Sequence, residues 1–272
     1  MYRNNIVCLI IFAFLTISVS SRAADIEKDL FLYLPMDEGA GNSVKDYGPN
    51  NFKTEMSDKK PKWVGGKKAT FDKSLQFDGK STFVKIDAAG QGKDFDAHTD
   101  KGKGMTICAW VKVGKTGTDG HGQNRQPIVM KGAGGAWEFA LLVYDGLEPG
   151  MSVWDCPGNG VSEPSGGSLG NEWRYQCGTY STKEGVKVYL DGKKNAVTQG
   201  ANAGDPCGNG NRPIFIAHRE DGQWLNADIA QVRMWERIIT VEEMAIAMNT
   251  NTLAVRRFNK LPIAWGEVKS RL

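Results

Sequence analysis

After Ile6–Val19 the 272-residue chain has no other long apolar run, so nothing in the rest of it is read as a membrane span. It has no excess of charge. The formal +3 includes Arg3 and Arg22 and falls to +1 without residues 1–23, and the lysines are scattered rather than clustered. Nucleic acid and anionic membranes are therefore not expected partners. There is no CxxC pair, and the three histidines, His98, His121 and His218, lie far from the cysteines in sequence. That excludes the familiar zinc layouts. No ExDxxE-like pair of carboxylates occurs, and Glu138 is the only acid within a clearly apolar run. Glycoside hydrolysis needs two carboxyl groups about one bond, so a glycosidase is disfavoured. No serine nucleophile is read either, and the chain is taken as non-catalytic. No repeat with a period of 20–50 residues appears, which removes solenoids and propellers.

What remains begins with a leader. A basic start, the 14-residue apolar run Ile6–Val19 and small residues at Ser21 and Ala23 have the layout of a secretory signal peptide over 1–23. The protein is expected to be secreted, periplasmic or cell-surface. Residues 24–249 then form one domain and 250–272 a basic tail. Gly is abundant, 33 in all, and it gathers with Asn and Asp between short β-branched and aromatic runs. That is the composition of turns between strands. Ten or more strands with no regular helix between them point to an all-β antiparallel two-sheet sandwich or jelly roll. Strands are read at 30–36, 105–113, 172–180, 186–194, in IVMKG, AWEFALLVY and MSVWD, and in PIFIAHR and ADIAQVRMWER. Residues 74–87 read as a hairpin with Asp78–Ser81 at its tip. Thr240 and Glu243 have capping-box spacing at the start of a short helix, TVEEMAIAMN.

Four cysteines lie outside the leader: Cys108, Cys156, Cys177 and Cys207. An even number in an exported chain suggests two disulfides. In 105–113 the alternate residues Met105, Ile107, Ala109, Val111 and Val113 are all apolar, which marks the core face. Cys108 falls on the other face with Trp110. Cys177 shares a face with Trp173, Tyr175 and Thr179. If the two strands are neighbours, a Cys108–Cys177 bond forms on the sheet surface, leaving Cys156 and Cys207 to tie two Gly/Asn loops together.

The blocks LYLPMDEGAG, VKDYG, SLQFDGKSTFVKI, MTICAWVKV, EWRYQCGTYSTKEGVKVYLDGKK, RPIFIAH and IAQVRMWERIITVEEM occur in the order seen in LamG-like jelly-roll domains. The chain resembles that group, within the concanavalin A-like lectin/glucanase superfamily, over about 30–249. The cysteine placement resembles that of pentraxins and implies the same Cys108–Cys177 pairing. The pentraxin calcium site is not implied, because HREDGQWLNAD lacks its acid-rich insertion. LamG-like relatives imply one structural calcium instead, with Asp37, Asp46 and Asp228 as the matching acids.

The resemblance and the missing catalytic pair together imply a binding module, with a glycan, or a cell-surface or extracellular protein, as partner. Sugars are held by aromatic faces and polar side chains. Two aromatic sets are in view. Trp110, Tyr175 and Tyr189 share the non-core face near the predicted disulfide. Trp137, Trp154 and Trp224 lie at strand or loop ends, with His121 and Arg125 as rim contacts.

Overall fold

The computed structural model describes residues 26–95, 104–115, 125–133, 136–155, 160–164, 167–194, 206 and 212–250. The stretch read as a leader, His98, His121, Cys156, Cys207 and residues 251–272 lie outside them. In chain order the strands are β1 (Leu30–Leu34), β2 (Glu55–Met56), β3 (Lys62–Gly65), β4 (Lys73–Gln76), β5 (Val84–Ile86) and β6 (Met105–Lys112). There follow β7 (Arg125–Ala133), β8 (Ala136–Tyr144), β9 (Glu148–Trp154), β10 (Gly160–Pro164), β11 (Arg174–Ser181) and β12 (Gly185–Leu190). The last are β13 (Lys193–Lys194), β14 (Ile214–Ile216), β15 (His218–Arg219), β16 (Gln223–Trp224) and β17 (Asp228–Trp235), then helix α1 (Val241–Asn249).

Two antiparallel sheets make the sandwich. The first runs β13-β12-β11-β6-β17-β4-β3, with β1 also on β17, and the second runs β10-β9-β8-β7-β14-β5-β2. The alternation in β6 works as the sequence dictates. Met105, Ile107, Ala109 and Val111 enter the core between the sheets, where they join Leu141 and Val143 of β8 and Met151 and Val153 of β9. Gly178 of β11 faces the same layer. A Cβ there would meet the Met151 sulfur at 2.5 Å, so only glycine lets the sheets approach this closely.

Cys108 and Cys177 stand directly opposite each other on β6 and β11, and they are bonded. The pairing is as expected, but its setting is not. Both cysteines are buried, in a second apolar layer on the outer face of the first sheet. Helix α1 covers that face through Met244 and Ala247, and Leu30, Tyr33, Trp235 and Ile239 complete the layer. Strand parity says which face a residue takes and nothing of what lies over it. The bond is therefore interior, not on the surface.

A nine-residue helix is marginal by itself, so α1 depends on this packing and on its ends. The capping box is present: Thr240 Oγ1 accepts from Glu243 N at 3.2 Å, and Glu243 Oε2 accepts from Thr240 N at 2.8 Å. Thr240→Ala is expected to cost about 1 kcal/mol, read as a shift in urea midpoint at constant slope.

Three expectations are corrected. Residues 74–87 are not a hairpin, because β4 belongs to the first sheet and β5 to the second. The Asp78–Ser81 turn carries the chain from one sheet to the other. Asp78 organises it by accepting from the N–H groups of Lys80, Ser81 and Thr82. Burial pushes this carboxyl up, but Lys59 at 2.7 Å and those N–H donors outweigh it and hold the group far below the usual carboxylate range. The Gly/Ser-rich stretch after Cys156 contains a strand, β10, paired along β9. PIFIAHR breaks at Ala217, whose φ of 65° turns β14 into the separate β15–β16 hairpin.

Candidate ligand-binding faces

The first aromatic set is not an open platform. Tyr175 is fully buried, and Trp110 and Tyr189 nearly so, all three in the layer beneath α1. Trp110 packs against Tyr175 at 5.3 Å and donates its indole N–H to the Met248 carbonyl at the end of α1. Burial pushes the Tyr175 phenol up to about 12, although the nearby Arg233 cation pulls the other way. These residues hold the helix down.

The second set converges on the outer face of the second sheet. Trp137 of β8 and Trp154 of β9 lie 6.3 Å apart, with Met130, Ala140 and Leu142 beneath and beside them. The Arg125 guanidinium is 5.4 Å from the Trp154 ring, and the Arg219 guanidinium is 3.8 Å from the Trp137 ring. Tyr144 and Ser152 share a hydrogen bond at 3.2 Å on the same face. Trp154 is only 8% exposed, whereas Trp137, Tyr144 and Arg125 are half-buried. Arg219 is held in place by both oxygens of Asp221, each at 2.5 Å, and by Gln223.

Arg219 also joins this patch to a second aromatic group. Its neighbour His218 stacks on Trp224 at 3.9 Å and on Phe83 at 5.0 Å. Beyond Phe83 lies a groove of about 510 Å³ lined by Glu55, Ser57, Asp58, Ser81 and Lys85. Arg219 and His218 are themselves buried and point to opposite sides of the β15–β16 hairpin, so Trp137, Tyr144 and Arg125 are the accessible part of this patch, and Trp224 and the polar groove lie beyond the hairpin. His218, Arg219 and Phe83 were not among the residues expected from sequence. The signal for them was the Asp221–Gly222 turn within HREDGQW, which makes a hairpin that sets His218 opposite Trp224.

Burial of the His218 ring drives it down to about 4, against the upward pull of the Gln223 carbonyl and Asp221. As pH falls below 6.5, the unfolded chain takes up this proton before the folded one does. The stabilisation is complete above pH 6.5 and is lost as pH approaches 4. Stability at pH 5 is expected to fall below that at pH 7 by on the order of 1–2 kcal/mol from this group. His218→Phe should flatten that part of the profile; a parallel profile would contradict the assignment.

The acids read as calcium ligands do not assemble. Asp46 is buried and gives both oxygens to the backbone, accepting from the N–H groups of Tyr33, Gly48 and Phe52. Asp228 accepts from Gln76 and lies 3.9 Å from Lys112. Asp37 borders a different groove with Thr70 and Asp72. Among the described residues no three His, Cys, Asp or Glu side chains gather as a metal would need. Calcium takes six to eight oxygens, and these three residues do not fit it. Glu138 is also committed, being fully buried at 2.9 Å from the ammonium of Lys131, which contacts Asp94 at 2.8 Å as well. Ser168 has the G-x-S-x-G spacing of a serine nucleophile. It sits in an exposed loop before β11, where its Oγ accepts from Gly170 N, and not on a strand-to-helix turn. Asp155 and Pro206, which directly precede Cys156 and Cys207, pair in an isolated antiparallel bridge.

Residues 78–245 match Laminin_G_3, of the concanavalin A-like lectin/glucanases superfamily. The chain belongs to this family. No curated protein matches its sequence. Among solved structures, this Laminin_G_3 domain is similar to the binding domain of Paraclostridial Mosquitocidal Protein 1, with TM-score 0.62 and 15% identity over 82% of this chain and 52% of the other. It is similar to the ligand-binding domain of botulinum neurotoxin serotype D in complex with N-acetylneuraminic acid, with TM-score 0.59 and 12% identity over 84% and 52%. The chain spans about half the length of these two. Domain 4 of AbnA, a GH43 extracellular arabinanase from Geobacillus stearothermophilus, in complex with arabinotriose, gives TM-score 0.59 and 14% identity over 81% and 98%. Such identities establish a shared fold. These neighbours are binding domains, not catalytic ones.

Proposed function

We propose that the protein is an exported, non-catalytic module that binds glycans on the outer face of the second sheet. The observation that carries this reading is the convergence of Trp137, Trp154, Arg125 and Arg219, with Trp224 and the polar groove beside Phe83 beyond the β15–β16 hairpin. Indole faces suit the C–H surfaces of a sugar ring, and guanidinium and hydroxyl groups suit its hydroxyls. The neighbours that hold arabinotriose and N-acetylneuraminic acid support this ligand class. The leader at 1–23 supports export, and the committed state of Glu138 supports binding without hydrolysis. The test is a glycan array probed with the 24–272 protein. Selective binding to one group of glycans is expected. Signal at background for every glycan would overturn the reading and leave an adhesion domain for proteins.

A further inference from the structure

We propose a second saccharide site on the opposite sheet, in the groove between the 66–72 turn and the C-terminal end of α1. It rests on the reading above only for its ligand class. The groove has a volume of about 480 Å³. Trp173 forms a half-buried wall, held edge-on against Phe71 at 5.0 Å. Trp110 lies at the base with the Lys67 ammonium 3.9 Å above its ring. Its indole N–H bond to Met248 fixes the helix end that closes the groove.

The polar groups around this wall have spare capacity. Asp191 accepts from Arg174 Nε at 2.6 Å and from Tyr175 N at 2.9 Å, which locks its carboxylate in place. A carboxylate has about four acceptor positions, so two remain. Among the described residues the terminal nitrogens of Arg174, the Lys67 ammonium and the Glu172 carboxylate have no hydrogen-bonding partner. Donors and acceptors thus surround one ring-sized apolar wall, as vicinal hydroxyls require. Two cations face two anions, so the charge balances. The occupant is therefore a neutral sugar, not a sialylated one. Because this groove and the aromatic row lie on opposite sheets, the module is bivalent.

The experiment is an NMR titration of the ¹⁵N-labelled protein read at the tryptophan indole N–H signals, assigned by single Trp→Phe variants. Arabinotriose is the neutral probe and N-acetylneuraminic acid the anionic one. The Trp173 signal should shift saturably with arabinotriose, and still do so in Trp137→Ala. Lys67→Ala should weaken that titration roughly tenfold without changing any response at Trp137. A silent Trp173 beside a responding Trp137 overturns the second site and spares the first. Silence at both with both probes overturns the second site, and the glycan array then decides the first. A Trp173 response unchanged by Lys67→Ala, or stronger with N-acetylneuraminic acid, overturns the assignment of the groove.

Discussion

Replacing Cys108 and Cys177 together by alanine is expected to lower stability by about 4 kcal/mol. The bond joins residues 69 apart in sequence, so its loss frees a long loop in the unfolded chain. The two sulfurs also fill the layer between the first sheet and α1, beside Trp110 and Tyr175. Truncation removes contacts there that water cannot replace. Urea unfolding of the double variant should show the lower midpoint with a changed slope, since the unfolded state becomes less compact. A loss under about 1 kcal/mol would mean that the bond adds little to a sheet already held by β6–β11 pairing. Because the bond is interior, mild reductant should leave it intact until the protein unfolds.

Arg233→Leu is expected to cost about 3 kcal/mol. Arg233 lies on β17 on the outer face, and it is buried. Its guanidinium donates to the Ala247 carbonyl at 2.7 Å, the Thr250 carbonyl at 2.6 Å and Gln231 Oε1 at 3.0 Å, and it lies 4.2 Å from the Tyr33 ring centroid. A cation at the C-terminal carbonyls of a helix is favourable on both hydrogen-bonding and dipole grounds. Removing it leaves those carbonyls without their donor and loosens α1 from the sheet. Hydrogen exchange should rise first in 241–249 and only later in β6 and β11. Arg233→Lys should not restore protection, because one ammonium cannot span three acceptors. Uniform loss of protection across the sandwich would contradict the latch role.

The parts of this structure visible in the sequence are those where a local pattern had a single physical meaning. The alternation in 105–113 could place only one face in a core, and Thr240 with Glu243 could cap only one helix. The hairpin read at 74–87 failed because an Asp-Gly turn looks the same whether its strands pair or pass to different sheets. β10 was missed because GVSEP lacks both alternation and apolar weight. The aromatic sets show the same limit. Trp110 has non-core parity but lies under α1, whose residues come more than 130 positions later, whereas Trp137 has the parity of the core residues Phe139 and Leu141 and reaches the outer face only across a register shift in β7–β8. Asp46 read as a metal ligand because a carboxylate that binds a cation and one that gathers three backbone N–H groups share the same turn-rich surroundings.

The most direct test is calorimetric titration of the strongest glycan from the array into the wild type, Trp137→Ala and Trp224→Ala. Loss of one stacked ring is worth about 0.5–1.5 kcal/mol beyond the apolar area it buries, so affinity should fall roughly tenfold in each variant. Their urea midpoints should stay close to wild type, since both rings are only half-buried. Unchanged affinity in both variants would contradict a binding face on the second sheet.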